Sequence, residues 1–241
     1  MDKKIKIVCP SSRRSGEILT DISNMIFCID KKEKNTYREK NPNIEIITHP
    51  GLKNLSEIRQ FIYEKFGDVF MVDDDIIEVR RLYVTDIMKL TPDESYKLIQ
   101  KTYNMAKDIG AYLFGFNCAP KPLHFNQHKP FLLNGFINGC AIGLLKNKNL
   151  YFDKHTVACE SHWITLLNAY YNRFCFIDKR FCFTQEASST FLKPGGQTGK
   201  RTLATEKADT LFLQKKFGSS VKITNKVNKL HKYQRKVNIR L

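Results

Sequence analysis

Three consecutive carboxylates, Asp73-Asp74-Asp75, follow the apolar run Val69-Phe70-Met71-Val72 and precede Ile76. A short run rich in β-branched and aromatic residues reads as a buried strand. Ionised carboxylates at the end of such a strand need a partner or a metal. Alternation along an extended chain puts Asp73 and Asp75 on one face and Asp74 on the other. Two carboxylates on one face repel, and a divalent cation carrying a phosphate-bearing substrate removes that repulsion. Acidic residues capping a helix or turn are the alternative reading.

The elements that must position these acids form a half-domain. Lys4 to Cys9 reads as a first strand running into Pro10-Ser11-Ser12-Arg13-Arg14-Ser15-Gly16. Hydroxyls and forked guanidinium groups there suit a nucleotide phosphate or base, although neither GK[ST] nor GxGxxG is present. A short helix is expected over Glu17–Ser23, strands over Met25–Ile29 and Ile44–Thr48, and a loop or frayed helix over Lys31–Asn43. Asn54 or Ser56 caps a helix with Leu55, Ile58, Phe61, Ile62 and Phe66 at helical spacing, and Gly67 ends it. The first 75 residues therefore read as a nucleotide-binding half-domain whose last strand ends in acids. In open α/β sheets, that end of the strands is where ligands bind.

Ile76–Tyr83 continues extended, and Thr91-Pro92-Asp93-Glu94 starts a helix reaching about Ile109. Ala111–Phe116 reads as a strand, and the proline-rich segment Lys121–Pro130 as a loop. Phe131–Leu145 carries Gly135, Gly139 and Gly143, and glycines in a strand mark close approach of backbone or ligand. Glu160 falls at the start of an amphipathic helix with Trp163, Leu166, Leu167 and Tyr170 apolar. A carboxylate there acts as a cap or as a base aimed at an acceptor hydroxyl. Two short strands are expected around Asp178-Lys179. Lys193-Pro194-Gly195-Gly196-Gln197-Thr198-Gly199-Lys200-Arg201 is either a loop that folds over a pyrophosphate or a plain surface loop. A helix follows over Thr205–Phe217.

The chain has 241 residues, 40 Lys+Arg against 24 Asp+Glu, and a formal charge of +16. Such an excess favours a polyanion, nucleic acid above all. No acid occurs after Asp209 while lysines and arginines continue, so a domain over 1–209 and a basic tail over 210–241 are expected. A solvated lysine-rich face is the plain alternative. The seven cysteines include no CxxC pair and mostly lie in apolar stretches, as expected of core thiols in a reducing cytoplasm, a host's if the source is viral. No secretory signal and no membrane-length apolar run is seen. Clustered acids with a basic surface also describe a metal-dependent nuclease, but Glu78 is followed by Val79-Arg80 and the usual ExK lysine is missing. A non-catalytic DNA-binding module remains a further alternative.

Together these features resemble the GT-A fold of nucleotide-sugar glycosyltransferases: a mixed central sheet flanked by helices in a single α/β domain. Asp73-Asp74-Asp75 matches their DxD motif and Cys159-Glu160 their catalytic acidic position, with Glu replacing Asp and His162 where another acid is common. More narrowly, Cys9-Pro10-Ser11-Ser12-Arg13-Arg14, Phe70 to Ile76, and Gly195-Gly196 resemble the phage and kinetoplastid DNA-base glycosyltransferases associated with TET/JBP oxygenases. The resemblance implies transfer, by inversion if Glu160 is the base, from a nucleotide diphosphate sugar (UDP-sugar favoured) to a hydroxyl on a modified pyrimidine in DNA. It implies Mn²⁺ or Mg²⁺ on Asp75 and Asp73. Donor contacts would come from Ser11, Arg13, Arg14, His49, Asp73, Asp74, Lys193, Gly195, Gly196, Lys200 and Arg201. Acceptor contacts would come from Asn138, Glu160 and His162. A glycan or protein acceptor, or nucleotidyl transfer, is the alternative within this fold.

Overall fold

A computed structural model describes residues 4–84, 89–186, 196, 200–224 and 234–237. Strands β1 (Lys6–Pro10), β2 (Met25–Asp30), β3 (Glu45–His49) and β4 (Val69–Val72) form the parallel half of the main sheet, in spatial order β3-β2-β1-β4. Next to β4 lies β8 (Ala141–Leu144), antiparallel to it, and then β6 (Leu113–Asn117). β9 (Phe176–Gln185) runs parallel to β6, and β5 (Ile76–Arg81) and the short β7 (Phe131–Leu132) pair antiparallel with β9. The sheet is therefore mixed, with a reversal at β8 beside the acidic strand. β10 (Val221–Thr224) and β11 (Gln234–Val237) form a separate antiparallel pair.

Alternation along β4 explains both cores. Phe70 and Val72 enter a buried cluster with Phe27, Tyr37 of α1 (Lys34–Lys40), and Ile99 and Tyr103 of α3 (Pro92–Asp108). Val69 and Met71 enter the opposite cluster with Ile62 and Tyr63 of α2 (Leu55–Phe66) and Trp163 and Ile164 of α4 (Glu160–Asn172). Helices on both faces of one sheet form the three-layer α/β architecture that the pattern predicts. α2 starts at Asn54, whose side chain accepts from Glu57 N–H, and stops at Gly67 with φ 71°. α3 starts with a full capping box between Thr91 and Glu94.

Several expectations are corrected. Glu17–Ser23 forms no helix, because its backbone is used elsewhere: Leu19 N–H and Thr20 Oγ1 bond the carbonyls of Asp74 and Asp73. Lys31–Asn43 holds a 3-10 turn and α1. The two strands expected around Asp178-Lys179 are one strand, β9, with a register shift opposite Phe116 and Asn117. The expected division at 209/210 falls inside α5 (Leu203–Phe217), where Thr210 and Leu213 are fully buried. Residues 210–217 thus pack with the domain, and Phe212 stacks on Trp163 of α4.

Candidate active site

Asp73, Asp74 and Asp75 line one cleft with Ser11, Ser12, Arg14, Asp30, His49, Asn54, Gly196 and Lys200. The alternation of β4 continues into the acids. Asp74 turns to the α1 side, where Arg14 Nη1 donates to its Oδ1 at 2.8 Å and Ser11 Oγ to its Oδ2 at 2.5 Å. Tyr37 Oη bonds Ser11 Oγ and accepts from Arg14 N–H, which closes that network. Asp73 turns to the α2 side, where Arg59 Nη2 donates to its Oδ1 at 2.8 Å.

Asp73 Oδ2 and Asp75 Oδ1 converge on one donor, Gln185 Nε2 at the end of β9, at 3.3 and 3.1 Å. Burial pushes the Asp73 carboxyl up to about 7, with Arg59 opposing and Asp75, Glu160 and Asp74 adding to the shift. Burial also raises Asp74, against the Ser11 and Arg14 bonds. Two carboxylate oxygens aimed at one point, with negative charge in excess around them, fit a hard divalent cation whose remaining ligands are substrate phosphates and water. Among the described residues no group of three or more His, Cys, Asp or Glu is assembled as a metal site.

Arg59 is the residue that sequence reasoning passed over. It is fully buried, and its Nε and Nη1 have no hydrogen-bond partner among the described residues. Its Nη2 also lies 3.9 Å from Glu160 Oε1. Its sequence signal is a position four after Leu55 and three before Ile62, on the buried stripe of α2. Gln185 leaves no such signal, being more than a hundred residues from Asp75.

Glu160 opens the first turn of α4, where the helix dipole favours its charge. The helix is pinned by Trp163 Nε1 donating to Tyr151 O at 2.7 Å. Just ahead of it, Ala158 N–H donates to Asp209 of α5 at 2.6 Å. The 138–140 turn lies against this start. A Cβ on Gly139 would stand 2.9 Å from Arg59 Nη1 and 3.1 Å from Glu160 Oε1, so only glycine lets the turn approach. Asn138 Oδ1 accepts from Cys140 N–H, and the His162 ring lies 4.4 Å from that of Phe136. Asn138, Glu160 and His162 do not line the cleft, and of the three Glu160 faces Arg59.

Of the expected donor residues, Ser11, Arg14, His49, Asp73, Asp74, Gly196 and Lys200 line the cleft. Arg13 does not: it is exposed, at φ 57°, with its N–H bonded to Glu33. Arg201 pairs with Glu206 at 2.7 Å. Lys193 and Gly195 lie outside the described residues. Gly196 N–H bonds Ser12 O, which brings the second loop against the first. Burial lowers the His49 pKa, and its Nδ1 accepts from Leu52 N–H. The neutral ring thus carries its proton on Nε2, a buried donor without a partner among the described residues.

The TET-associated glycosyltransferase family model matches residues 5–188. No curated protein matches the chain. Among solved structures, CMP:2-keto-3-deoxy-manno-octonic acid synthetase complexed with CTP is similar at 9% identity. That match covers 88% of this chain and 100% of the other, with a TM-score of 0.41. No helix among the described residues is long and apolar enough to cross a membrane. With a family model spanning the acidic strand, Glu160 and the cleft lining other than Gly196 and Lys200, this chain belongs to the TET-associated glycosyltransferases.

Proposed function

We propose that this glycosyltransferase moves a sugar from a nucleotide diphosphate sugar, UDP-sugar favoured, to the hydroxyl of a hydroxylated or hydroxymethylated pyrimidine in DNA. One observation supports the donor half: Asp73 Oδ2 and Asp75 Oδ1 share one neighbour, the Gln185 amide nitrogen, whose place a cation would take, beside a cleft lined by His49, Arg14 and Lys200. Asp73 and Asp75 would hold Mg²⁺ or Mn²⁺. When bound, that ion supplies Lewis-acid stabilisation of the charge on the departing diphosphate. His49 Nε2–H donates to a carbonyl of the nucleobase. Lys200 and the Gly196 turn approach the phosphates.

Glu160 accepts the proton of the acceptor hydroxyl as its oxygen forms the new bond to the anomeric carbon. The anomeric bond to the diphosphate breaks, and the centre inverts. Arg59 is a positioning residue: it holds Asp73 and faces Glu160, so the donor's carboxylate and the base share one buried cation. A base within a duplex must be extruded, at about a few kcal/mol. The +16 charge, with the basic residues after α5, supplies sequence-tolerant affinity for DNA.

The test is transfer to an oligonucleotide bearing hydroxymethylated pyrimidine, read by mass. Glu160→Gln is expected to cut transfer by about 10²–10⁴-fold while leaving metal-dependent donor binding intact. Asp75→Ala is expected to remove both. Near-normal turnover in Glu160→Gln would sink the base assignment.

A further inference from the structure

A surface beside the cleft has the composition of a base-stacking platform. Tyr83, 47% exposed, packs edge-on against Phe181 at 5.6 Å and against Phe125 at 6.5 Å. Phe131, 36% exposed, stacks on Phe176 at 5.5 Å. The Arg180 guanidinium lies 4.6 Å over the Phe131 ring and 5.5 Å from that of Phe181. Fully buried Asp178 fixes its plane, accepting from Nε at 2.9 Å and Nη2 at 2.7 Å. Phe131 is thus held between Phe176 and Arg180, and Tyr83 and the part-exposed Arg180 guanidinium remain as faces whose orientation is set from below.

The charge around Phe131 and Arg180 is mainly positive. Lys121 and Lys129 are exposed on the 121–130 loop, which Lys179 N–H ties to β9 through Pro130 O. The segments 121–133 and 176–183 contain a single acid, Asp178, and Arg180 neutralises it. A monomer has no internal use for exposed aromatics ringed by cations, whereas a polyanion carrying flat apolar rings matches both features.

Register places this row at the catalytic edge. Met71 and Gly115 both pair with Ile142, so Asn117 stands level with Asp73 with one strand between them. Two strand spacings separate Asn117 from Asp73 by roughly 10 Å, and the row lies further out along the same sheet end, with Arg180 on β9 and Phe131 and Tyr83 beyond it. Lys179 Nζ bonds Asn117 Oδ1 at 2.6 Å, and Arg180 follows in the β9 bulge.

We infer that Tyr83, Phe131 and Arg180 form a nucleotide-stacking subsite. In it a polynucleotide strand lays bases flanking the modified one on Tyr83 and on the Arg180 plane that Phe131 backs, and Lys121, Lys129 and Lys179 meet its phosphates. The inference rests on the nucleic-acid acceptor of the proposed function. It identifies the surface that holds the acceptor strand and explains tolerance of sequence, since every base has a stackable face.

The test uses the full chain and fluorescence anisotropy with single-stranded and duplex oligonucleotides containing hydroxymethylated pyrimidine. Mn²⁺-dependent UDP binding and sugar-nucleotide hydrolysis without acceptor serve as controls. Tyr83→Ala combined with Phe131→Ala is expected to weaken oligonucleotide binding at least about tenfold while both controls hold. Tyr83→Phe keeps the ring and is expected to bind as the parent does. Single strands are expected to bind more tightly than duplex. If the parent binds and modifies DNA but the double alanine variant binds equally well, the subsite is wrong and the acceptor reading stands. If the parent binds no nucleic acid, both fall.

Discussion

Neighbouring aspartates at the end of β4 meet two arginines in opposite ways. Asp74 is closed off: Arg14, Ser11 and Tyr37 complete a network in which each partner has a second partner. Asp73 is held differently: Arg59 donates to its Oδ1 and Gln185 to its Oδ2, while Arg59 keeps its buried Nε and Nη1 without partners among the described residues and Glu160 lies at 3.9 Å. Buried polar groups are ordinarily satisfied, and each unpaired one costs about 1–3 kcal/mol. The first pair therefore reads as scaffold for the 11–16 loop. The second reads as a site whose arrangement is completed by substrate.

Removing each arginine separates these roles. Arg59→Met is expected to lower kcat by about 10²-fold or more through misplacement of Glu160 and Asp73, with Arg59→Lys restoring part of it. KM for the acceptor is expected to move less than kcat, a split that a purely structural loss would not produce. Arg14→Met strips one partner from a buried pair and is expected to cost about 3–5 kcal/mol of stability, read by urea denaturation. If Arg14→Met proved the catalytic defect and Arg59→Met the stability defect, the contrast would be reversed.

The smallest effect is the pH dependence of stability. Asp73 holds its proton up to about 7 in the folded chain, well above its ordinary value of 3.8. Between those values the folded chain binds a proton that the unfolded chain has released, so stability falls as pH rises through the window. Metal-free protein is expected to lose Tm from about pH 4 to about pH 7, Mn²⁺ to flatten the slope, and Asp73→Asn to remove it. A slope that Mn²⁺ leaves unchanged would separate Asp73 from the cation.

Much of this organisation is legible in the chain because it is local. The period-2 run ending in acids, the Thr91 capping box and Glu160 at a helix start are all written within a few residues of themselves. Arg59 is legible in part, as a charge on an apolar helix stripe. Gln185 is not, since its contact with Asp73 and Asp75 is made by the pairing of β5 with β9 across the length of the chain. The Glu17–Ser23 segment misleads because its polar groups bond the distant carbonyls of Asp73 and Asp74 instead of one another. A boundary set by charge at Asp209 cuts α5, since its last acids, Glu206 and Asp209, are themselves buried and Leu213 beyond them remains in the core.

The central claim, that the Asp73–Asp75 pair grips a donor through a cation, is tested most directly by calorimetric titration of UDP and UDP-sugars into the full chain with Mn²⁺ and again with chelator. Binding that requires Mn²⁺, and that vanishes in Asp75→Ala but persists in Glu160→Gln, is the predicted result. Equal binding with and without the metal, or metal-dependent binding that Asp75→Ala leaves intact, contradicts it.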